Sequence, residues 1–259
     1  MSLSFSPRRV KVGAGALRVL EAGHGTPLVY LHGVGDNGEA FPVLARLAEH
    51  YRVIRPDHPG FIESDDLGAG SVGEIAEIEE RLLDALGVGR FALIGCSFGG
   101  WVAAELALRA GERVERLVLI DPVGLRGPEQ GPDMFAMAPD ELLRATVFDE
   151  ERRAAAAAAP PPAHIAARLA RSRAEALRLG RDPYMHDPDL AARLAALEVD
   201  TLVVWGAQDG VVPPSYGREW LAAVRGCRLE LIEDAGHLPQ IERPERFLQV
   251  TGLLPAEAA

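Results

Sequence analysis

Apolar and polar positions follow two different rhythms along the first half of the chain. Residues 28–31 are continuously apolar, which is typical of a strand buried on both faces of a sheet. Residues 72–86 repeat apolar positions at helical spacing, and Ser71 with Glu74 three residues later forms the pattern of a helix N-cap. Strands that alternate with helices of this length predict parallel βαβ units. The other elements predicted here are strands at 9–12, 17–21, 52–55, 91–94 and 117–120 and helices at 39–49 and 98–110.

The alternation stops midway along the chain and later resumes. The intervening segment is rich in Ala, Arg and Pro, and its apolar residues recur at helical spacing over 164–179 and 190–197. A disordered linker would lack such spacing, so the segment is interpreted as a helical insertion. The prediction is an α/β core of residues 1–122 and 199–259, interrupted by a helical cap of residues 123–198. The elements predicted after the cap are strands at 201–205 and 228–232 and helices at 216–224 and 244–253.

The composition narrows the class of protein. The chain has 259 residues, 48% of them hydrophobic, and a net charge of −11. The apolar content suffices for a sizeable core, whereas the acidic balance disfavours nucleic acid and anionic membranes as partners. No apolar stretch approaches the ~18 residues of a membrane helix, and the first residues do not look like a secretory signal. We expect a cytoplasmic protein with a small-molecule partner, and the sequence leaves a homodimer open.

The sharpest chemical signal is Gly95-Cys96-Ser97-Phe98-Gly99, where the strand at 91–94 meets a helix. A serine on such a turn is held in a strained conformation, and small residues two before and two after it let the chain turn. The helix N-terminus then points at charge that develops on a substrate. The motif and its placement predict that Ser97 is a nucleophile.

A serine hydroxyl needs a base, and the base needs an orienting acid. Of seven histidines, His237 directly follows the last strand, where parallel sheets place reacting groups. Asp209 lies in a Gly-flanked turn after the strand at 201–205. Asp121 also follows a strand end and is an alternative acid, but the glycine-rich turn favours Asp209. The predicted triad is Ser97, His237 and Asp209.

A second glycine-rich loop follows the buried strand at 28–31, with the sequence His32-Gly33-Val34-Gly35. An amide from such a loop can join the amide after the nucleophile in an oxyanion hole. The predicted donors are the backbone N–H groups of Val34 and Phe98. His32 itself is a candidate substrate contact. It is, however, more typical of a hydrogen-bonding residue that organises the loop.

Together these motifs resemble the α/β-hydrolase superfamily with a helical cap, over nearly the whole length of the chain. They are His32-Gly33, the turn near residues 57–64, Gly95–Gly100, and the ordered pair Asp209 and His237. The resemblance implies an α/β-hydrolase fold with a mostly parallel eight-stranded sheet flanked by helices. It also implies an acyl-enzyme, no metal and no organic cofactor. One departure is Ile62, where relatives often carry glycine.

The resemblance narrows the reaction. A serine nucleophile does not resemble epoxide hydrolases or haloalkane dehalogenases. The carbon–carbon hydrolases of ring-cleavage products are also similar, but they place asparagine before the serine and tryptophan after the histidine, where this chain has Cys96 and Leu238. We therefore expect a serine hydrolase of a small, mainly apolar ester or lactone. The alternatives are carbon–carbon hydrolysis, acyl transfer to an alcohol or peroxide at the same triad, and a receptor without turnover.

The cap is expected to cover the mouth of the site. Three apolar residues early in the cap are candidate acyl-pocket residues: Met134, Phe135 and Met137. Leu238, beside the predicted base, is a fourth candidate. Packing of the cap onto the core is an equally good interpretation of the first three. The cap is also rich in arginine. These arginines either meet a substrate carboxylate or form solvated helix faces, and the second interpretation is favoured.

Overall fold

The computed structural model describes residues 4–127 and 131–254. Its centre is an eight-stranded sheet. The strands are β1 (Ser6–Val12), β2 (Gly15–Ala22), β3 (Pro27–Leu31), β4 (Arg52–Pro56), β5 (Phe91–Cys96), β6 (Val114–Ile120), β7 (Thr201–Gly206) and β8 (Arg228–Ile232). Their order in the sheet is β1-β2-β4-β3-β5-β6-β7-β8, in which β2 pairs antiparallel with β1 and β4 and all other pairs are parallel. The mostly parallel α/β sheet implied by the resemblance is confirmed.

Helices flank the sheet and fill the segment between β6 and β7. The last two helices directly follow the predicted base, and the sequence analysis anticipated only the second of them. The first helix is shorter than the predicted 39–49, because Pro42 stands at its start. The helices are α1 (Pro42–Leu47), α2 (Val72–Ala85), α3 (Phe98–Ala110), α4 (Pro139–Thr146), α5 (Glu150–Ala158), α6 (Ala163–Gly180), α7 (Leu190–Leu194), α8 (Gly217–Ala223), α9 (Pro239–Glu242) and α10 (Pro244–Thr251).

The core lies on both faces of the sheet. Along β3, Leu28 and Tyr30 belong to one buried cluster, and Val29 and Leu31 belong to the other. Successive strand residues point to opposite faces, so this division explains why the strand is apolar at every position.

Helix α2 begins as the sequence indicates. The Ser71 hydroxyl accepts a hydrogen bond from the Glu74 amide at 3.2 Å. The Glu74 carboxylate in turn accepts from the Gly70 amide at 2.7 Å, one residue earlier than in a standard capping box. Two amides at the start of the helix thereby gain acceptors.

The four helices α4–α7 form the segment between β6 and β7, and several of their arginines contact the core. Arg168 of α6 pairs with Glu39 at 2.6 Å and with Glu63 at 3.0 Å. Arg193 of α7 donates to the Glu105 carboxylate of α3, with one contact of 2.7 Å. These two arginines are therefore not merely solvated helix faces, because they join the cap to the core.

The chemically important side chains follow successive strand ends. Ser97 follows β5, Asp121 follows β6, Asp209 follows β7 and His237 follows β8. Because β5–β8 are mutually parallel neighbours, their carboxyl ends meet at one edge of the sheet. No helix in residues 4–127 or 131–254 is long and apolar enough to cross a bilayer.

Candidate active site

Ser97 occupies a sharp turn between β5 and α3. Its φ is 54° and its ψ is −117°, a conformation that residues with a β-carbon rarely adopt. The flanking glycines are required by close packing: a β-carbon on Gly95 would lie 2.3 Å from the Gly99 carbonyl oxygen, and one on Gly99 would lie 2.3 Å from that of Leu31. The turn thus depends on glycine at both positions.

Asp209 and His237 are in direct contact. The Nδ1 of His237 lies 2.7 Å from Asp209 Oδ2, and a carboxylate can only accept there, so the ring donates through Nδ1–H. The other Asp209 oxygen accepts from the amides of Val211 at 2.8 Å and Val212 at 3.0 Å. In a neutral ring, a proton on Nδ1 leaves Nε2 free to accept, which is the form a general base needs.

Ser97 and His237 line one cavity of about 280 Å³. Within the described part of the chain no hydrogen bond joins the Ser97 hydroxyl to the His237 ring. In enzymes without substrate such bonds are often long and shorten only in the complex. Both residues are 6% exposed, so substrate would meet them in a largely dehydrated site.

The loop after β3 lies against the nucleophile turn. A β-carbon on Gly33 would come within 3.3 Å of Ser97 Cβ, and the next residue, Val34, lines the cavity. Phe98 is the first residue of α3, so its amide has no acceptor within the helix. The arrangement brings the loop of Val34 next to the residue that precedes Phe98, as an oxyanion hole requires.

His32 does not fit a substrate contact, and this part of the sequence prediction needs correction. Its side chain is fully buried and does not line the cavity. Its Nδ1 lies 2.9 Å from the Gly33 carbonyl, and its Nε2 accepts from the His58 amide at 3.1 Å. Burial lowers its pKa well below the usual range, so it is a neutral ring. His32 instead fixes the loop, because both ring nitrogens bond to backbone.

A buried pair lies behind His32. His58 Nδ1 is 2.9 Å from Glu79 Oε1, and its Nε2 is 3.1 Å from the His32 carbonyl oxygen. Burial raises the pKa of Glu79. His58, in the turn near residues 57–64, therefore supports the loop after β3.

The predicted acyl-pocket residues separate into two pairs. Met134 and Leu238 line the cavity. Phe135 and Met137 do not: the Phe135 ring packs against Tyr184 at 6.3 Å and lies under the Arg173 guanidinium at 5.3 Å, while Met137 is half-buried elsewhere. Phe135 therefore packs within the cap, against an aromatic ring and a cation. The substrate-binding prediction is thus corrected for Phe135 and Met137.

Other lining residues carry no motif and were missed by sequence analysis. Gln240 of α9 has its amide nitrogen 3.4 Å from both the Tyr30 hydroxyl and Cys96 Sγ. Burial raises the pKa of Cys96, so this thiol is not a second nucleophile. Further cavity residues come from the loop after β3, the cap, the loop after β7 and α9, and include Asp36, Asn37, Glu39, Leu142, Thr146, Val211 and Ile241.

The cavity is mainly apolar and its charged lining is acidic. Among its described lining residues none is lysine or arginine, whereas Asp36 and Glu39 are both present. Asp36 accepts from the fully buried Arg55 at 2.5 Å, and Arg55 also donates to Asp57 at 2.6 Å. The Arg55 guanidinium is therefore already engaged by two carboxylates.

Asp121, Asp209 and His237 offer one potential ligand atom each, all within 4.8 Å of one another. Asp209 already accepts three hydrogen bonds, and Nδ1 of His237 is used by one of them. The donor set therefore fits a hydrogen-bonded acid–base group better than a metal site.

The comparison with protein families agrees with this geometry. Residues 28–250 match the model of the Alpha/beta hydrolase family. The chain belongs to that family. This α/β hydrolase carries the strand-turn-helix serine, the acid and the histidine in the order typical of the fold.

Two curated bacterial hydrolases are similar along most of their length. One is the 2-hydroxy-6-oxo-6-phenylhexa-2,4-dienoate hydrolase of Comamonas testosteroni, 29% identical over 256 residues, covering 88% of this chain and 86% of that protein. The other is the 2-hydroxy-6-oxononadienedioate/2-hydroxy-6-oxononatrienedioate hydrolase of Burkholderia vietnamiensis strain G4, 31% identical over 246 residues, covering 85% and 83%. The chain is thus an enzyme of the hydrolase class.

Among solved structures, the α/β hydrolase resembles a bacterial membrane phospholipase A, described as a virulence factor. The TM-score is 0.79 and the identity 27%, over 96% of this chain and 86% of that one. The fold is therefore shared with hydrolases of chemically different substrates.

Proposed function

We propose that this α/β hydrolase uses Ser97 as nucleophile, His237 as general base and Asp209 as the orienting acid. The observation that carries the proposal is the 2.7 Å contact between His237 and Asp209 at the cavity that Ser97 lines. The substrate is a small, mainly apolar molecule whose carbonyl carbon reaches Ser97.

In this mechanism Nε2 of His237 takes the Ser97 proton as Oγ attacks the carbonyl carbon. The amides of Val34 and Phe98 donate to the oxyanion, and Asp209 stabilises the imidazolium. His237 then gives the proton to the leaving group, which departs with the electron pair. A water molecule, activated by His237, releases the acyl group as an acid.

The similar curated hydrolases favour carbon–carbon hydrolysis over the ester that the sequence analysis placed first. Their names specify unsaturated oxo acids as substrates. In such a reaction Ser97 Oγ bonds to the keto carbon, and the bond from that carbon to the next one breaks. The leaving carbon keeps the electron pair and gains a proton. We place this substrate class first.

An ester is the second candidate, and the lining of the cavity favours it. A dienoate carries a carboxylate, and the described lining includes no lysine or arginine to pair with it. The positions of Cys96 and Leu238 also lack the residues typical of the carbon–carbon hydrolases. An uncharged ester or lactone needs no cation.

One experiment separates the two classes. The kcat/KM is measured for 2-hydroxy-6-oxo-6-phenylhexa-2,4-dienoate, for its methyl ester and for p-nitrophenyl butyrate. Turnover of the dienoate supports carbon–carbon hydrolysis. Turnover of the p-nitrophenyl ester alone supports the ester candidate. A preference for the methyl ester over the free dienoate acid supports the role of a lining without lysine or arginine.

Ser97→Ala is the matched variant for all three substrates. We expect it to lower turnover by at least about a thousandfold, because it removes the nucleophile. A folded Ser97→Ala protein that keeps more than about a tenth of the wild-type rate contradicts the proposed mechanism.

A further inference from the structure

A second carboxyl group is buried beside the triad. Asp121 directly follows β6 and has no exposed surface. Its Oδ1 accepts a hydrogen bond from the Gly206 amide at 2.9 Å, while its Oδ2 accepts none from the described residues. A hydrogen bond between the Asp121 and Asp209 side chains contributes to the raised pKa of Asp121. One carboxylate oxygen each of Asp121 and Asp209 and one ring nitrogen of His237 lie within 4.8 Å of one another. The mechanism above makes no use of this group.

The surroundings of Asp121 decide its protonation. The titratable groups whose charges interact with that of Asp121 are Asp209, Glu242 and Cys96. His237 lies beside it. None of them except His237 carries a positive charge in any protonation state. Two carboxyls this close and this deeply buried do not both ionise.

The proton resides on Asp121 and not on Asp209. Asp209 accepts hydrogen bonds from two amides and from His237, whereas Asp121 accepts one. More donors stabilise the anion more strongly. Burial raises the pKa of Asp121 well above its usual range, and the charge of Asp209 raises it further.

The backbone holds Asp121 in this place. Its amide donates to the Val204 carbonyl of β7 at 3.0 Å, and its φ of 43° is unusual for a residue other than glycine. Because β6 and β7 are paired in parallel, the residues after them emerge side by side at the same edge. The two carboxyls therefore lie near His237 at the ends of neighbouring strands.

We propose that Asp121 is a protonated positioning residue of the triad, and that it becomes the anionic partner of His237 when Asp209 is removed. This inference rests on the proposed function of Ser97, His237 and Asp209. In the intact enzyme the two carboxyls hold one proton between them, on Asp121, so His237 faces the single negative charge of Asp209. Without Asp209, Asp121 releases its proton to water and supplies that charge.

The test uses Asp209→Ala with and without Asp121→Asn, and Asp121→Asn alone. The readout is the rate at which a fluorophosphonate labels Ser97, followed by intact mass. Ser97 Oγ bonds to phosphorus, fluoride leaves with the electron pair, and His237 takes the proton, so no natural substrate is needed.

We expect Asp121→Asn alone to lower the labelling rate by less than about tenfold, because asparagine is neutral like the protonated acid. Asp209→Ala should retain at least about tenfold more activity than Asp209→Ala/Asp121→Asn, which should fall by about 10⁴ from wild type. The labelling rate of Asp209→Ala should also rise with pH through an ionisation that the double variant lacks.

Equal rates for Asp209→Ala and the double variant overturn the inference, as does a loss of more than about a hundredfold in Asp121→Asn alone. Infrared difference spectra of wild type against Asp121→Asn give a readout independent of activity. A carboxylic-acid carbonyl band of the wild type near neutral pH supports the inference, and its absence overturns it. Failure of the wild type to label, or labelling of Ser97→Ala at the wild-type rate, instead overturns the proposed function.

Discussion

At the scale of single residues, Ser97 is held by bonds to two neighbouring elements. Its amide donates to the Ile120 carbonyl of β6 at 2.8 Å, and its own carbonyl accepts from the Gly100 amide at 2.9 Å. These bonds fix a backbone conformation that would otherwise be unfavourable. The strain is thus maintained by the sheet and by the following helix, and the nucleophile is placed before substrate arrives.

Gly99→Ala tests the close packing of α3 on the loop after β3. The added β-carbon would lie 2.3 Å from the Leu31 oxygen and 2.5 Å from the His32 oxygen, and both are backbone atoms. We expect the free energy of unfolding to fall by about 2–3 kcal/mol, measured by urea denaturation.

Gly89→Ala is the matched control for this substitution. A β-carbon at Gly89 meets no atom within 4 Å, so the change should stay within about 0.5 kcal/mol. Equal stability of the two variants would contradict the packing described for Gly99.

Ile62 shows how a departure from the family pattern is accommodated. Its φ is 49°, the left-handed region in which glycine is favoured, although isoleucine is β-branched. The side chain is 3% exposed, and its amide donates to the Ser172 hydroxyl at 3.3 Å. Burial of the side chain and this bond to the cap offset the unfavourable conformation.

At the scale of elements, the loop that carries His237 is bonded to the cap. The His237 amide donates to the Thr146 carbonyl at the end of α4 at 2.8 Å. The buried Glu242 carboxylate accepts from the Gly236 amide at 2.7 Å and from the Asp149 amide at 2.8 Å. Asp149 is the N-cap of α5, so Glu242 links the histidine loop to a second cap helix.

Glu242→Gln should weaken this link. The amide NH₂ group would face a backbone N–H in place of an accepting oxygen, which leaves a buried donor unsatisfied. We expect a loss of about 1–3 kcal/mol in the free energy of unfolding and about tenfold in kcat, with a smaller change in KM.

Glu233→Gln is the control, because Glu233 is exposed and should contribute less than about 0.5 kcal/mol. Urea denaturation, and steady-state kinetics on whichever of the three test substrates the wild type turns over, measure both variants. A Glu242→Gln protein with unchanged kcat would show that the loop holds His237 without the cap.

At the scale of the whole molecule, buried carboxyls make stability depend on pH. Asp121 keeps its proton in the folded protein above the pH at which the unfolded chain releases it, near pH 4. The folded state therefore binds more protons, and the contribution of Asp121 to stability is lost as pH rises through its folded-state pKa.

The expected outcome is a pH-dependent difference between wild type and Asp121→Asn. The wild-type free energy of unfolding, relative to the variant, should fall as pH rises above about 4, by at most about 1.4 kcal/mol per pH unit, until the raised folded-state pKa of Asp121 is reached. Glu79 is present in both proteins, so its contribution cancels. Urea denaturation across this range gives the difference, and a constant value would mean that Asp121 holds no extra proton.

The sequence by itself determined the order of the eight strands and the placement of Ser97, Asp209 and His237 at strand ends. These follow from local patterns: the apolar run of β3, the N-cap at Ser71, and glycines around the nucleophile. Such patterns extend over a few residues, so they can be recognised in the sequence without knowledge of the fold. The bounds of α1 and the existence of α9 could not be predicted, because short helices carry weak periodicity.

Only the tertiary structure decided which side chains meet. His32 and Met134 both lie in or beside loops near the site, yet His32 is buried behind the loop after β3 and Met134 lines the cavity. Gln240 carries no motif, and Asp121 was only the alternative acid after a strand end. That Asp121 lies beside Asp209 and His237 follows from the pairing of strands distant in sequence. Burial and neighbouring charge are properties of that pairing: Asp121 is an ordinary acid in the sequence, and burial together with the charge of Asp209, 88 residues away, raises its pKa.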